Sequence, residues 1–201
     1  MQQVNLFEID GLVAGVDEAG RGPLAGPVVA SAVVLNQRMP VTGLADSKKL
    51  TAKRRDVLAE EIKRNALAWS VAWADPAEID AINILAATML AMRRAILGLA
   101  IMPGKVLIDG NRLPNLLFDG AQIQGEAIIG GDDIIPAISA ASIIAKTTRD
   151  QMMFRLDSIY PGYEFARHKG YGTVVHRQKL QEFGPCREHR RSFAPVRAAY
   201  S

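Results

Sequence analysis

Apolar residues along this chain alternate between short β-branched runs and longer stretches with helical spacing. The first run, residues 12–17, reads Leu-Val-Ala-Gly-Val-Asp and predicts a buried strand that ends in two carboxylates, Asp17 and Glu18. Ala19-Gly20-Arg21-Gly22-Pro23 predicts a turn, because glycine supplies backbone angles that other residues avoid and proline fixes its own. Residues 27–35 are again β-branched, a second strand able to form a hairpin with the first. After the polar loop Asp46-Ser47-Lys48-Lys49, Thr51 is a natural N-cap for a helix to about Asn65, with Val57, Leu58, Ile62 and Ala66 on one face. A third strand fits residues 68–74.

Asp75-Pro76-Ala77-Glu78 carries a helix-start signature: an acceptor at the cap, proline at the first position and glutamate at the third. Ile79, Ile82, Leu85, Met89, Met92 and Ile96 then recur at helical spacing, enough for one or two packed helices. Val106-Leu107-Ile108 repeats the opening pattern, a short apolar strand running into a carboxylate, Asp109. A weak strand is expected near residues 127–129. Gly130-Gly131-Asp132-Asp133 follows, ahead of a helix from about Pro136 whose apolar face takes Ile138, Ala141, Ala145, Met152, Leu156 and Ile159. Beyond residue 160 come His168-Lys169-Gly170-Tyr171, a helix over 173–183 and a basic run over 187–193.

Strands and helices in alternation predict an α/β sheet, whose ligand crevice lies at the carboxyl ends of strands. Asp17, Glu18 and Asp109 sit at such ends. If their strands are neighbours the carboxylates converge, and like charges held together call for a cation. Oxygen donors without nearby Cys or His favour a hard ion, Mg²⁺ or Mn²⁺. Asp132 or Asp133 completes the set. Taken singly, Asp109 reads as a turn former and Asp132-Asp133 as helix caps; the threefold coincidence favours metal.

Composition narrows the class. The chain has 201 residues, 49% hydrophobic and 22% charged, and suits one domain with a core of its own. A single cysteine excludes an internal disulfide, no apolar run approaches a membrane span, and the first ten residues lack a secretory pattern, so a cytoplasmic protein is expected. The net charge of +3 is unevenly placed: residues 1–145 hold 13 basic and 16 acidic side chains, residues 146–201 hold 11 and 5. The last quarter is a candidate surface for a polyanion. Gly20-Arg21-Gly22 is too short for a dinucleotide or nucleotide-triphosphate fingerprint, but allows close backbone approach to a sugar-phosphate. Lys48, Lys49 and Lys146 read equally as solvated lysines or as phosphate contacts. His168 and His176 lack partners at zinc-ligand spacing.

Several stretches together resemble the type 2 ribonuclease H family in its bacterial ribonuclease HII form. They are Gly15-Val16-Asp17-Glu18-Ala19-Gly20-Arg21-Gly22-Pro23, Asp46-Ser47-Lys48-Lys49-Leu50, Val106-Leu107-Ile108-Asp109-Gly110, Ser139-Ala140-Ala141-Ser142-Ile143-Ile144-Ala145-Lys146, Thr148-Arg149-Asp150 and His168-Lys169-Gly170-Tyr171. The resemblance implies a ribonuclease H-like mixed sheet flanked by helices, in a single domain whose residues from about 160 to 201 form a small basic, helical, substrate-binding portion. It also implies metal-dependent hydrolysis of RNA in RNA–DNA hybrids and incision 5′ to single ribonucleotides in duplex DNA, in ribonucleotide excision repair and DNA replication. By the same likeness Asp17, Glu18, Asp109 and Asp132 are the catalytic, metal-binding carboxylates. Gly20, Arg21, Gly22, Ser47, Lys48, Lys146 and Tyr171 are the substrate contacts, with the glycine turn reading the ribose 2′-hydroxyl and Tyr171 packing on the adjoining deoxynucleotide. The family pattern Lys-Gly-Asp-Ser is here Gly130-Gly131-Asp132-Asp133, one lysine fewer and one aspartate more. A monomer is expected. Competing readings are a non-catalytic hybrid-binding module, which has no need of four acids, and a metal-dependent phosphatase or carboxylate-pair glycosidase, which has no need of a basic, Tyr-bearing tail.

Overall fold

The computed structural model describes residues 11–44, 47 and 50–200. Strands β1 (Val13–Ala19), β2 (Val28–Val34), β3 (Ala68–Ala74), β4 (Lys105–Asp109) and β7 (Gln124–Ile128) make one sheet in the order β3-β2-β1-β4-β7. Strands β1, β2 and β3 are antiparallel neighbours, whereas β4 and β7 extend the sheet in parallel with β1. The mixed sheet is the architecture expected. A separate two-stranded ribbon, β5 (Leu117–Phe118) and β6 (Ala121–Gln122), precedes β7. The first strand runs two residues further than its apolar pattern: Asp17, Glu18 and Ala19 pair with Ser31, Ala30 and Val29, so the hairpin holds the acids inside the ladder rather than beyond it.

Helices cover both faces. Helix α1 (Ala52–Asn65) is capped by Thr51, whose hydroxyl accepts from Arg54 N, and α2 (Pro76–Leu97) by Asp75 in a full capping box with Glu78. Asn83, at φ 67°, interrupts α2, and its Oδ1 accepts from Leu85 N and Ala86 N, so the stretch is two helical segments with Asn83 capping the second. The short α3 (Gly131–Ile134) leads into α4 (Pro136–Ile159). Alternation along β1 and β2 divides the core: Ala14, Val16, Val28, Ala30 and Ala32 pack with α2, while Val33 packs with Leu58 and Ile62 of α1 and Ile143 and Ile144 of α4. Every residue of β2 is buried, as suits a strand with helices on both sides. Gly15 permits close backbone contact between sheet and helix, since a Cβ there would stand 2.0 Å from the carbonyl carbon of Ala137 at the start of α4.

The C-terminal part contains α5 (Phe165–His168), α6 (Val174–Phe183) and α7 (Ala194–Arg197). It is stitched to the loop between β1 and β2: Leu24 N donates to Gly170 O, Gly26 N to Glu188 O and Arg190 N to Leu24 O, and Ala25 bridges His189. From the other side, Asp80 of α2 accepts from Arg191 N and Ser192 N. Around Phe165 the chain buries its three histidines. His189 Nδ1 accepts from Cys186 N, so its Nε2 carries the proton and donates to His176 Nε2 at 3.0 Å; His176 Nδ1 then donates to Tyr171 O at 2.9 Å. His168 stacks on His176, accepts from Gly170 N and donates to Tyr163 O. Each ring is thus held neutral in one tautomer.

Burial accordingly lowers the pKa of His176 and His189 to about 4, and depresses that of His168 as well. Unfolded histidines take up protons near pH 6.5, before the folded ones do, so this contribution to stability is complete above that pH and is lost as pH falls toward 4. The thermal midpoint should drop through this window, and a His176→Asn variant, which keeps a donor for Tyr171 O, should drop less. Equal drops in the two proteins would exclude His176 as the titrating group.

Candidate active site

Three elements bring carboxylates together. Parallel pairing of β1 with β4 sets Val16 opposite Ile108, so Asp17 and Asp109 leave the same end of neighbouring strands. Asp132 comes from α3, whose first amide, Gly131 N, donates to Asp109 Oδ1 at 2.8 Å and so ties the short helix to β4. One oxygen from each of Asp17, Asp109 and Asp132 lies within 4.8 Å of the other two, and Asp17 and Asp132 are buried.

Asp17 is costly to ionise in this setting. Burial, the charge of Glu18 and the charge of Asp109 raise its pKa well above the usual carboxylate range, against hydrogen bonds from Ser142 and from Glu18 N that lower it. The Ser142 hydroxyl donates to Asp17, so at the 2.9 Å contact with Ser47 it is Ser47 that donates. Ser139 Oγ donates to Asp132 O at 2.5 Å and steadies α3 against α4. Gathered acids with oxygen-only donors and, among the described residues, no lysine or arginine paired with Asp17 fit a hard divalent cation, which would remove the repulsion the fold imposes. Asp17, Asp109 and Asp132 are the residues that would hold it.

The remaining expected residues divide. Glu18 lies outside the group of three, because neighbouring strand side chains point to opposite faces, and its Oε1 is 3.3 Å from Arg21 Nη1. Asp133 is exposed and also outside the group, and neither it nor Asp132 caps α4, whose N-cap is Ile135. Gly20 has φ +95°, a backbone that favours glycine, and a Cβ there would meet Arg149 Nε at 1.9 Å. A Cβ on Gly22 would lie 3.9 Å from the Tyr171 ring, so turn and tyrosine face one another. Arg21 and Tyr171 are exposed. Ser47 is buried, its side chain turned to Ser142, and Arg55 holds the loop by donating to Ser47 O and Leu50 O. Lys146 pairs with Asp150 at 2.7 Å. Lys48, with Asp46 and Lys49, lies outside the described residues.

Sequence reasoning passed over four residues. Ser139 and Ser142 sit one turn apart on the helix that lies over Asp17, a polar pair within an apolar helix start. Arg149 and Arg190 are fully buried. Arg149 had a signal, for it falls on the apolar stripe between Ala145 and Met152, where a charge is out of place; Arg190, in an irregular basic run, had none. The burial of both also trims the expected basic surface, because two of the 11 cations in the last quarter face the interior.

The family model for ribonuclease HII matches residues 14–196. A ribonuclease HII of Paracidovorax citrulli is 61% identical over 189 residues, 94% of this chain and 77% of that protein. One from a Polaromonas species is 58% identical over 190 residues, 94% and 93%. Among solved structures, the ribonuclease H2 of Pyrococcus horikoshii superimposes with a TM-score of 0.76 at 29% identity, over 94% of this chain and 96% of that one. The ribonuclease HII in the Archaeoglobus fulgidus complex with PCNA gives 0.69 at 30% identity, over 85% of each. A ribonuclease HIII in complex with Mn²⁺ shares the fold alone, at 18% identity and a TM-score of 0.76, over 94% and 69%.

If the three acids form a cation site, Mg²⁺ or Mn²⁺ should raise the thermal midpoint of the wild type over its value in EDTA, by about 2.7 kcal/mol of stability at 100 times the dissociation constant. Asp17→Asn should be more stable than wild type in EDTA and gain little from the metal. A variant that responds to metal as the wild type does would remove Asp17 from the site.

Proposed function

The chain belongs to the ribonuclease HII family and is a ribonuclease H nuclease, and from that premise we propose that it hydrolyses the RNA strand of RNA–DNA hybrids and incises duplex DNA 5′ to single embedded ribonucleotides, leaving 3′-hydroxyl and 5′-phosphate ends. The observation that carries the reading is the convergence of Asp17, Asp109 and Asp132 at the ends of β1 and β4 and the start of α3. A phosphodiester is already anionic, so water attacks it only when charge is neutralised and nucleophile and leaving oxygen are held in line. Bound Mg²⁺ or Mn²⁺ supplies that neutralisation and an activated water. In this proposal two ions would be held, both by Asp17 and Asp109, one with Asp132 and the other with Glu18, which would have to reach it from outside the group of three. Ser142 keeps Asp17 oriented through its hydrogen bond, and Ser47 keeps Ser142, so Ser47 acts on the substrate side only through the loop it anchors.

Recognition rests on other residues. A cluster of acids repels phosphate, and the exposed cations Arg155, Arg167, Arg177, Arg187, Arg191 and Arg197 of the last quarter supply attraction that weakens as salt rises. RNA differs from DNA by its 2′-hydroxyl and by duplex shape. The Gly20-Arg21-Gly22 turn brings backbone close to a sugar, and Tyr171, beside Gly22, offers a ring to its neighbour. Lys48 and Lys146 complete the substrate contacts of this reading, in which residues from about 160 to 201 are the substrate-binding portion of a cytoplasmic monomer acting in ribonucleotide excision repair. A hybrid-binding module without catalysis would leave the buried acid cluster without a purpose.

On a duplex with one ribonucleotide, Asp17→Asn should lose metal-dependent incision while binding within about threefold of wild type, as expected for a group that acts on the transition state. Cleavage at near wild-type rate would refute the carboxylate assignment. Tyr171→Ala should lose about tenfold on this junction, the worth of a ring contact of about 1.4 kcal/mol, and much less on a uniform hybrid. Equal losses would remove Tyr171 from junction reading.

A further inference from the structure

Two arginines with no solvent exposure lie between the glycine turn and the C-terminal part. Among the described residues neither has a carboxylate within ion-pair distance; both spend their guanidinium groups on backbone carbonyls. Arg149 of α4 donates through Nε to Pro27 O at 3.0 Å, through Nη2 to Ala25 O at 3.1 Å and through Nη1 to Lys169 O at 3.0 Å. Arg190 donates through Nη2 to Gly20 O at 2.5 Å, through Nη1 to Arg21 O at 2.8 Å and through Nε to Gly26 O at 3.0 Å.

These acceptors form a pattern. Five of the six belong to the 20–27 loop, and the sixth, Lys169 O, is two residues before Tyr171. The Arg149 guanidinium also lies 5.9 Å from the centre of the Tyr171 ring, and its Nε and Cδ fill the space a Cβ on Gly20 would need. Burial lowers the pKa of Arg149 to about 10 and that of Arg190 to about 9, so both remain charged near neutral pH. A buried cation without a carboxylate is expensive unless every donor is satisfied, and a planar fork of fixed donors also fixes the carbonyls that satisfy it. Core packing alone would be met at less cost by an apolar side chain. Charge and fork geometry together suit holding a loop whose own glycines give it no stiffness.

We propose that Arg149 and Arg190 are positioning residues that hold the Gly20-Arg21-Gly22 turn and the Lys169-Gly170-Tyr171 segment as one rigid reading surface, and so set the preference for a ribonucleotide–deoxyribonucleotide junction over a uniform hybrid. The inference rests on the nuclease reading above. It assigns the two arginines no contact with substrate. Their effect passes through Gly20 O, Arg21 O and Lys169 O, while the carboxylates and exposed cations serve both substrates alike.

The test compares wild type, Arg149→Lys and Arg190→Lys on a DNA duplex with one ribonucleotide and on a uniform RNA–DNA hybrid, with thermal midpoints measured in parallel. Lysine keeps the charge and loses the fork. Expected is a loss in kcat/KM of at least about tenfold on the junction, mostly in kcat, against less than about threefold on the hybrid, since small misplacement costs rate rather than binding. Equal loss on both substrates, or a lowered midpoint with unchanged selectivity, would overturn the inference and leave the arginines a structural role. Failure of the wild type to cleave either substrate would instead refute the nuclease reading. If a lysine variant does not fold, amide exchange of the wild type decides: Leu24, Gly26, Tyr171 and Arg190 amides should open as one unit, and separate opening energies would overturn the rigid surface.

Discussion

The site depends on how closely α4 can approach β1. Gly15 has no side chain, and the carbonyl of Ala137 occupies the place where one would be. That contact fixes the start of α4 against the strand bearing Asp17 two residues later. Ser142, one and a half turns along, then reaches the Asp17 carboxylate, and Ser139 reaches back to Asp132 O. A larger residue at position 15 would lift the helix, and the serines and α3 would move with it. The geometry of three acids from three elements is therefore set by an absence of atoms on β1, two residues before Asp17. Overpacking at such a point typically costs about 1–3 kcal/mol even before function is considered.

Charge is segregated around this contact. Among the described residues, the acids on the α4 face of the sheet stand together with no cation paired to Asp17, and at the 20–27 loop two guanidiniums stand together with no carboxylate within ion-pair distance. Either group alone is a strained arrangement, since like charges gathered in a poorly polarisable interior raise each other's energy. Backbone carbonyls relieve the arginines permanently. Hydroxyl and amide donors relieve Asp17 only in part, which leaves a capacity for positive charge at the acids. Stability given up at one end of the turn is the condition for binding at that end, and the arginines, each bonded to three carbonyls, hold the other end still.

Much of this was legible in the chain. The strand runs ending in Asp17 and Asp109 announced a shared sheet edge, and β1 beside β4 in parallel satisfies it. The capping box at Asp75 and the cap at Thr51 placed two helices correctly. Period and propensity could not show that Glu18, adjacent to Asp17, stands apart from the group of three, because that follows from strand alternation within a ladder longer than its apolar pattern. Nor could they show that Ser47 turns inward, or that His176 and His189 bond each other, since those contacts join residues far apart in the chain or in irregular segments. Asn83 is intermediate. A polar cap former inside an apolar helical period signals a break, but only the backbone at φ 67° shows that the break is made.

The Gly130-Gly131-Asp132-Asp133 stretch differs from the Lys-Gly-Asp-Ser pattern of the family it resembles, and the difference bears on the field at the site more than on its backbone. Gly130 adopts φ 67°, ψ 29°, a left-handed conformation in which a side chain costs about 1 kcal/mol, and a Cβ there would meet nothing within 4 Å. Glycine in place of the lysine that the resemblance implies leaves no void here and favours the backbone that presents α3. Asp133 points to solvent, so the added carboxylate does not compete with Asp132 for the place beside Asp17 and Asp109. The pair of changes nevertheless makes this edge of the site more negative, by one cation lost and one anion gained. An exposed charge acts through water over about 10 Å at 0.1 M salt. The consequence is a stronger draw on divalent cations and a weaker draw on phosphate at low ionic strength, both fading as salt is added.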